Sequence, residues 1–232
     1  MRNKLMFSEL NERLQGIFGT DILAGDATIR YILEIYHNGE LAKERQVRYG
    51  DGTEMAFPVR LVPGRAYDFV VWADVVTAEG AGDNHYVTEY GLTNITLNTD
   101  DVNNDVEWKA MDETRDAFTG VMSVAEFSNS SDISFDLIRP FAKLRVRTTD
   151  IKDVLKLGIV PTTATVEYTT AHRQSFNART ETYGAADLDK THNYTIVSYE
   201  DMTAVDTYTL FADYFFANND IVNFTLEVKD AA

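Results

Sequence analysis

The chain has 232 residues, 44% of them hydrophobic and 25% charged, with 37 acidic against 21 basic residues and a formal net charge of −16. That acidity excludes a nucleic-acid surface, which needs clustered Lys and Arg, and disfavours charge-driven docking on an anionic bilayer. The absence of cysteine excludes disulfides, thiolate zinc sites and thiol catalysis together.

Residues 1–24 read as an N-terminal segment. Glu9, Asn11, Glu12, Arg13 and Gln15 interrupt any apolar run, so no secretory signal is expected here. Met6, Leu10, Leu14 and Ile17 recur at helical spacing and predict a short helix over Ser8–Phe18. No stretch approaches the ~20 apolar residues of a membrane span.

Strand alternation begins at Ala27. Ile29, Tyr31, Leu33 and Ile35 share one face, while Thr28, Arg30 and Glu34 share the other, which predicts a half-buried strand. Asn38-Gly39 reads as a hairpin turn into Leu41–Tyr49, with further turns at Asp51-Gly52 and Pro63-Gly64. Between those turns, Glu54–Leu61 is a strand. Ala66–Thr77 carries Tyr67, Phe69, Val71, Ala73 and Val75 on one face and Val70, Trp72 and Val76 on the other, so it reads as a central, covered strand. Short strands follow at His85–Thr88 and Leu92–Leu97, then an acidic loop over Asn98–Asp105 and a strand over Ala117–Phe127.

Ser128–Ser131 is small, polar and near the midpoint, and is the candidate linker. Alternation resumes at Ile133, Phe135 and Leu137 and again at Ala142, Leu144 and Val146. Asp150, Asp153 and Gly158 predict a short capped helix. Thr163–Thr169, His192–Tyr199, Thr207–Phe216 and Val222–Val228 complete the strands. Turns every 8–12 residues with little helix between them indicate an all-β sandwich, and the lack of βα units argues against a parallel sheet. Tyr67–Asp74 echoes Tyr208–Tyr214, and Ala27–Arg30 echoes Ala142–Arg145, which supports two related domains over 25–128 and 129–232.

Chemistry is sparse. His37, His85, His172 and His192 sit at turns and strand ends, none with zinc spacing. There is no nucleophile elbow, phosphate loop or dinucleotide fingerprint, so no catalytic residue, cofactor or enzyme activity is assigned. Asp101, Asn103 and Asp105 match the first three ligand positions of a calcium loop, but Val106 replaces the turn glycine and strands flank the loop. A solvated acidic turn is the better reading. Trp72, among valines, reads as core. Tyr86 and Tyr90 lie nearer a loop and are the candidate glycan contacts.

Val59–Gly64 running into Tyr67–Asp74 resembles the first domain of Bacteroidetes fimbrillin-like proteins, and Arg115–Gly120 with Leu137–Val146 resembles the segments that close that domain and open the second. The resemblance spans about Ala27 to Val228. It implies an all-β chain of two tandem transthyretin-like or immunoglobulin-like β-sandwich domains with short helices only. It also implies export as a lipoprotein to the outer-membrane surface and assembly with other fimbrial subunits by strand exchange, or contact with host or bacterial surface ligands. The chain carries no lipid-attachment Cys, and its second domain is expected to lack a final strand. That would leave the edge beside Val222, Phe224, Leu226 and Val228 open to a partner. The alternative expectation is an outer-surface glycan-binding module of a nutrient-uptake system.

Overall fold

In the computed structural model of the chain, the described residues are 3–6, 27–50, 55–98, 112–128, 132–134, 136–187, 208–217 and 221–230. The strands before the midpoint are β1 (Asn3–Met6), β2 (Thr28–His37), β3 (Glu40–Leu41), β4 (Gln46–Gly50), β5 (Phe57–Val59), β6 (Tyr67–Val76), β7 (Tyr86–Val87) and β8 (Ile95–Leu97). A 3₁₀ turn (Glu113–Arg115) precedes β9 (Ala117–Val124), β10 (Ile133–Ser134) and β11 (Phe141–Thr148). After helix α1 (Ile151–Lys156) come β12 (Pro161–Tyr168), β13 (His172–Arg173), β14 (Ser175–Asn177), β15 (Thr182–Tyr183) and β16 (Ala186–Asp187). Then follow β17 (Tyr208–Phe216) and β18 (Phe224–Asp230).

The chain divides into two compact units. The first comprises Met1–Val106, Glu113–Pro140 and Ser175–Gly184, and the second Glu107–Asp112, Phe141–Gln174 and Ala185–Ala232. This differs from a linear division after residue 128. Ile133 and Leu137, beyond the expected linker, are buried in the first unit's core. The later hairpin β14–β15 joins the first unit's sheets by pairing β14 with β8, Phe176 opposite Ile95.

The first unit is built on a sheet ordered β3-β2-β6-β9, with β4 also pairing β2. Asn38 (φ 51°) and Gly39 (φ 90°) make the left-handed turn that joins β2 to β3, as the Asn-Gly pair demands. The strand expected over Leu41–Tyr49 is broken between β3 and β4, which pair opposite ends of β2. One face of the sheet buries Ile29, Tyr31, Leu33, Ile35, Phe69 and Val71 against Phe57, Val59, Phe127, Ile133 and Leu137. Fully burying each such side chain is worth about 1.5–3 kcal/mol. A small sheet β10-β1-β5 accompanies this face, and its β1–β10 pair is parallel, Leu5 opposite Ile133.

The other face of β2 and β6 is buried too. Arg30 and Glu34, expected on an open face, are 5% and 1% exposed. The sequence of β6 explains why: Val70, Trp72 and Val76 make its second face apolar, so the matching face of its neighbour must also be covered.

The second unit pairs β11 with β17 over eight positions and continues through β13 to β16. The echo noted in sequence maps onto corresponding antiparallel pairs, β2 with β6 and β11 with β17. Its core gathers Val166, Tyr168, Phe211 and Phe215. Helix α1 forms as expected and stops at Gly158 (φ 77°), but Asp150 makes no side-chain cap and Asp153 instead pairs Lys156 at 2.8 Å. The segments expected as a helix over Ser8–Phe18, a turn at Asp51-Gly52 and a strand over His192–Tyr199 lie outside the described residues.

Candidate functional site

β18 pairs β12 along its length, from Tyr168 opposite Phe224 to Pro161 opposite Asp230, with an irregularity between Pro161 and Thr163. These two strands form a sheet of their own, so among the described residues β18 has a strand on one edge only. Phe224, Leu226 and Val228 alternate on one face. Leu226, and Val222 just before the strand, pack against the second unit's core. The Phe224 ring lies 6.1 Å from Tyr168, and Val228 remains 40% exposed. The opposite face carries Glu227 and Lys229, paired at 2.9 Å in solvent. An apolar face with one unpaired edge is chemically suited to accept another strand: backbone groups supply hydrogen bonds and alternate side chains meet pockets.

The first unit contains a different kind of site, which sequence reasoning missed. On β2, Arg30 donates from Nε and Nη2 to Asp74 of β6 at 2.9 and 2.6 Å, and from Nη1 to Asp83 at 2.7 Å. Asp83 is fixed by Thr88, whose N–H and hydroxyl donate to it at 2.7 and 2.8 Å. Burial alone would lower the Arg30 pKa, but the charges and hydrogen bonds of Asp74 and Asp83 outweigh it and keep the guanidinium protonated. Burial pushes the Asp74 carboxyl up while Arg30 pulls it back, and the bidentate geometry keeps the pair ionic.

Four residues along β2, Glu34 accepts from the Tyr36 hydroxyl and from the Leu92 N–H at 2.9 Å. Burial, together with that contact, holds the Tyr36 hydroxyl well above the ordinary tyrosine value. Arg45 lies 3.7 Å from Glu34 and donates from Nη1 to the Thr88 carbonyl at 2.6 Å. Its Nε and Nη2 are buried without a hydrogen-bond partner, and burial lowers its pKa more than Glu34 restores it. Beside this network opens a pocket of about 370 Å³. Its residues were visible in sequence only as the polar face of a strand; the signal was the two-sided apolar character of β6.

The aromatic pair expected on the surface separates. Tyr90 is 73% exposed, but Tyr86 is 1% exposed, packed edge-on against Trp72 at 5.2 Å, with its hydroxyl donating to the Arg115 carbonyl. Tyr86 is therefore a core residue and offers no face to a glycan. Trp72 is fully buried, as its valine neighbours predicted. Asp101, Asn103, Asp105 and His192 lie outside the described residues. His85 is buried against Thr114 at 2.8 Å, His172 is stacked on Phe215 at 4.7 Å, and His37 contacts the Ala66 carbonyl at 2.8 Å. Among the described residues no three His, Asp or Glu side chains converge to hold a metal, and no helix is long and apolar enough to cross a membrane.

Antiparallel sheets with little helix between them define the chain as an all-β sandwich protein. It belongs to a family of unknown function, DUF6562, whose profile matches residues 11–232. No curated protein matches it. Among solved structures it is similar to a DUF1812 protein from Bacteroides thetaiotaomicron inferred to bind polysaccharide. That match has 16% identity and a TM-score of 0.54, covering 98% of this chain and 76% of the other. It is also similar to a fimbrial assembly protein from Parabacteroides distasonis, at 13% identity and a TM-score of 0.46, with 99% and 81% covered. The first likeness establishes a shared fold.

Proposed function

We propose that the chain is a structural, adhesive protein of the cell surface that associates with other subunits by β-strand addition at β18. The observation that carries this reading is the β12–β18 sheet, in which β18 is paired on one edge alone among the described residues. The sequence resemblance to fimbrillin-like proteins supports the same reading. In this reading the partner contributes an extended segment with alternating apolar side chains. One row of backbone hydrogen bonds gives it affinity, and contacts around Phe224 and Val228 give it register.

The test uses decapeptides of alternating apolar and polar residues, titrated into the whole chain. A peptide at a hundred times its Kd should stabilise the fold by about 2.7 kcal/mol, read as a rise in Tm. Amides of residues 224–230 should gain hydrogen-exchange protection in the same titration. A binding peptide that protects other strands and leaves 224–230 unchanged would sink the proposal, as would an unchanged Tm with every peptide.

A further inference from the structure

The pocket of the first unit is not used by strand addition, and its lining has a composition of its own. Its floor is the β2–β4 ladder, where Ile32 lies opposite Val47 and Arg30 opposite Tyr49, so these four side chains share one face. Ile32 and Val47 make that floor apolar. Arg45 forms part of the wall, and Glu89 comes from the loop pinned by Asp83. The side chains of Tyr49 and Glu89 have no hydrogen-bond partner among the described residues, and the Arg45 Nη2 has none either. The Arg45 side chain keeps 23% of its surface open. Buried donors left unsatisfied are rare and costly, and a bound polar ligand supplies what this one lacks.

We propose that this pocket binds one residue of a neutral glycan, its ring laid on Ile32, Val47 and Tyr49 and its hydroxyls bonded to Glu89 and Arg45. About 370 Å³ falls within the usual range of small-ligand sites and accepts a hexose. A hydroxyl both donates and accepts, which matches an acceptor carboxylate, a donor guanidinium and a phenol that does either. Charge selects against the alternatives. Glu34, Asp74, Asp83 and Glu89 outnumber Arg30 and Arg45 around the site, so uronates, sulfates and phosphates are repelled. Tyr90, though exposed, does not line the pocket and is not needed.

The experiment is calorimetric titration of the whole chain with maltotriose, mannotriose, cellotriose and galactobiose, and with trigalacturonate as the anionic counterpart. At least one neutral sugar should bind with a Kd below about 1 mM. Glu89→Ala and Tyr49→Ser should each weaken it about tenfold, or about 1.4 kcal/mol, with Tm unchanged. Glu89→Gln, which keeps an acceptor oxygen, should weaken it less. Absence of binding by all four neutral sugars at about 10 mM overturns the proposal. So does trigalacturonate binding as well as the neutral sugars, or binding that neither variant alters. Strand addition at β18 belongs to the second unit and stands or falls separately.

Discussion

Arg30 and Asp74 face each other across the β2–β6 ladder, both almost wholly out of solvent. Removing one partner of such a pair strands the other charge in a medium that cannot solvate it. Asp74→Ala should therefore cost about 3–5 kcal/mol, measured by urea unfolding. A loss below about 1 kcal/mol would mean that water reaches Arg30. Acid tests the same network. Asp83 would rise on burial, but the Thr88 N–H and the Arg30 guanidinium hold it below the ordinary aspartate value of 3.8. Asp68 is also held below that value, first by the Ser123 hydroxyl and then by Arg179. A carboxylate whose folded value is depressed contributes stability above the unfolded value and loses it as pH falls through the folded one. The contribution of Asp83 and Asp68 should be level above about pH 5 and decline below 3.8, and Asp83→Asn should flatten that decline. An unchanged acid limb in Asp83→Asn would remove Asp83 as the source.

At the scale of elements, the β14–β15 hairpin carries the tightest geometric demand. Gly184 lies against Ser175, and a Cβ there would sit 2.0 Å from the Ser175 Oγ and 3.3 Å from its Cβ. Gly184→Ala should destabilise the chain by about 1–3 kcal/mol, and Ser175→Gly in the same chain should recover most of it. Equal losses with and without Ser175→Gly would place the strain elsewhere. The hairpin also anchors through Arg179, which reaches Asp68 with Nε at 2.9 Å and Nη2 at 2.7 Å. Elements specified by neighbouring residues were legible in advance: the Asn38-Gly39 turn, the alternation of β2, β6 and β11, and the stop of α1 at Gly158. Sites made by distant pairing were not. The small, polar Ser128–Ser131 reads locally as a linker, yet Ile133 and Leu137 beyond it are buried in the first core. Nothing near Phe176 announces that it will lie opposite Ile95. Arg30 and Glu34 alternate as a solvent face would, and only the covering residues, far along the chain, bury them. The alternation of Phe224, Leu226 and Val228 could be read because it is local, whereas Tyr86 could not be told from Tyr90 without knowing that Trp72 lies against it.

For the molecule as a whole, a net charge of −16 opposes the approach of any second copy. If strand addition joins like copies, its rate should rise as salt is raised from about 0.01 to about 1 M, which shortens the screening length from ~30 to ~3 Å. Light scattering would follow this, and a rate that falls with salt would point to a basic partner instead.

The loan of residues 175–184 to the first unit also has a consequence for synthesis. β8 leaves the ribosome roughly 80 residues before β14, a wait of about 4–16 s at ordinary elongation rates. Through that interval the β7–β8 ribbon lacks its neighbour, and most of the second unit's early strands have already emerged. The nascent chain therefore cannot finish its first half before starting its second. It must hold an incomplete sheet open until the hairpin arrives, which makes this interval the one in which a holding chaperone would matter most.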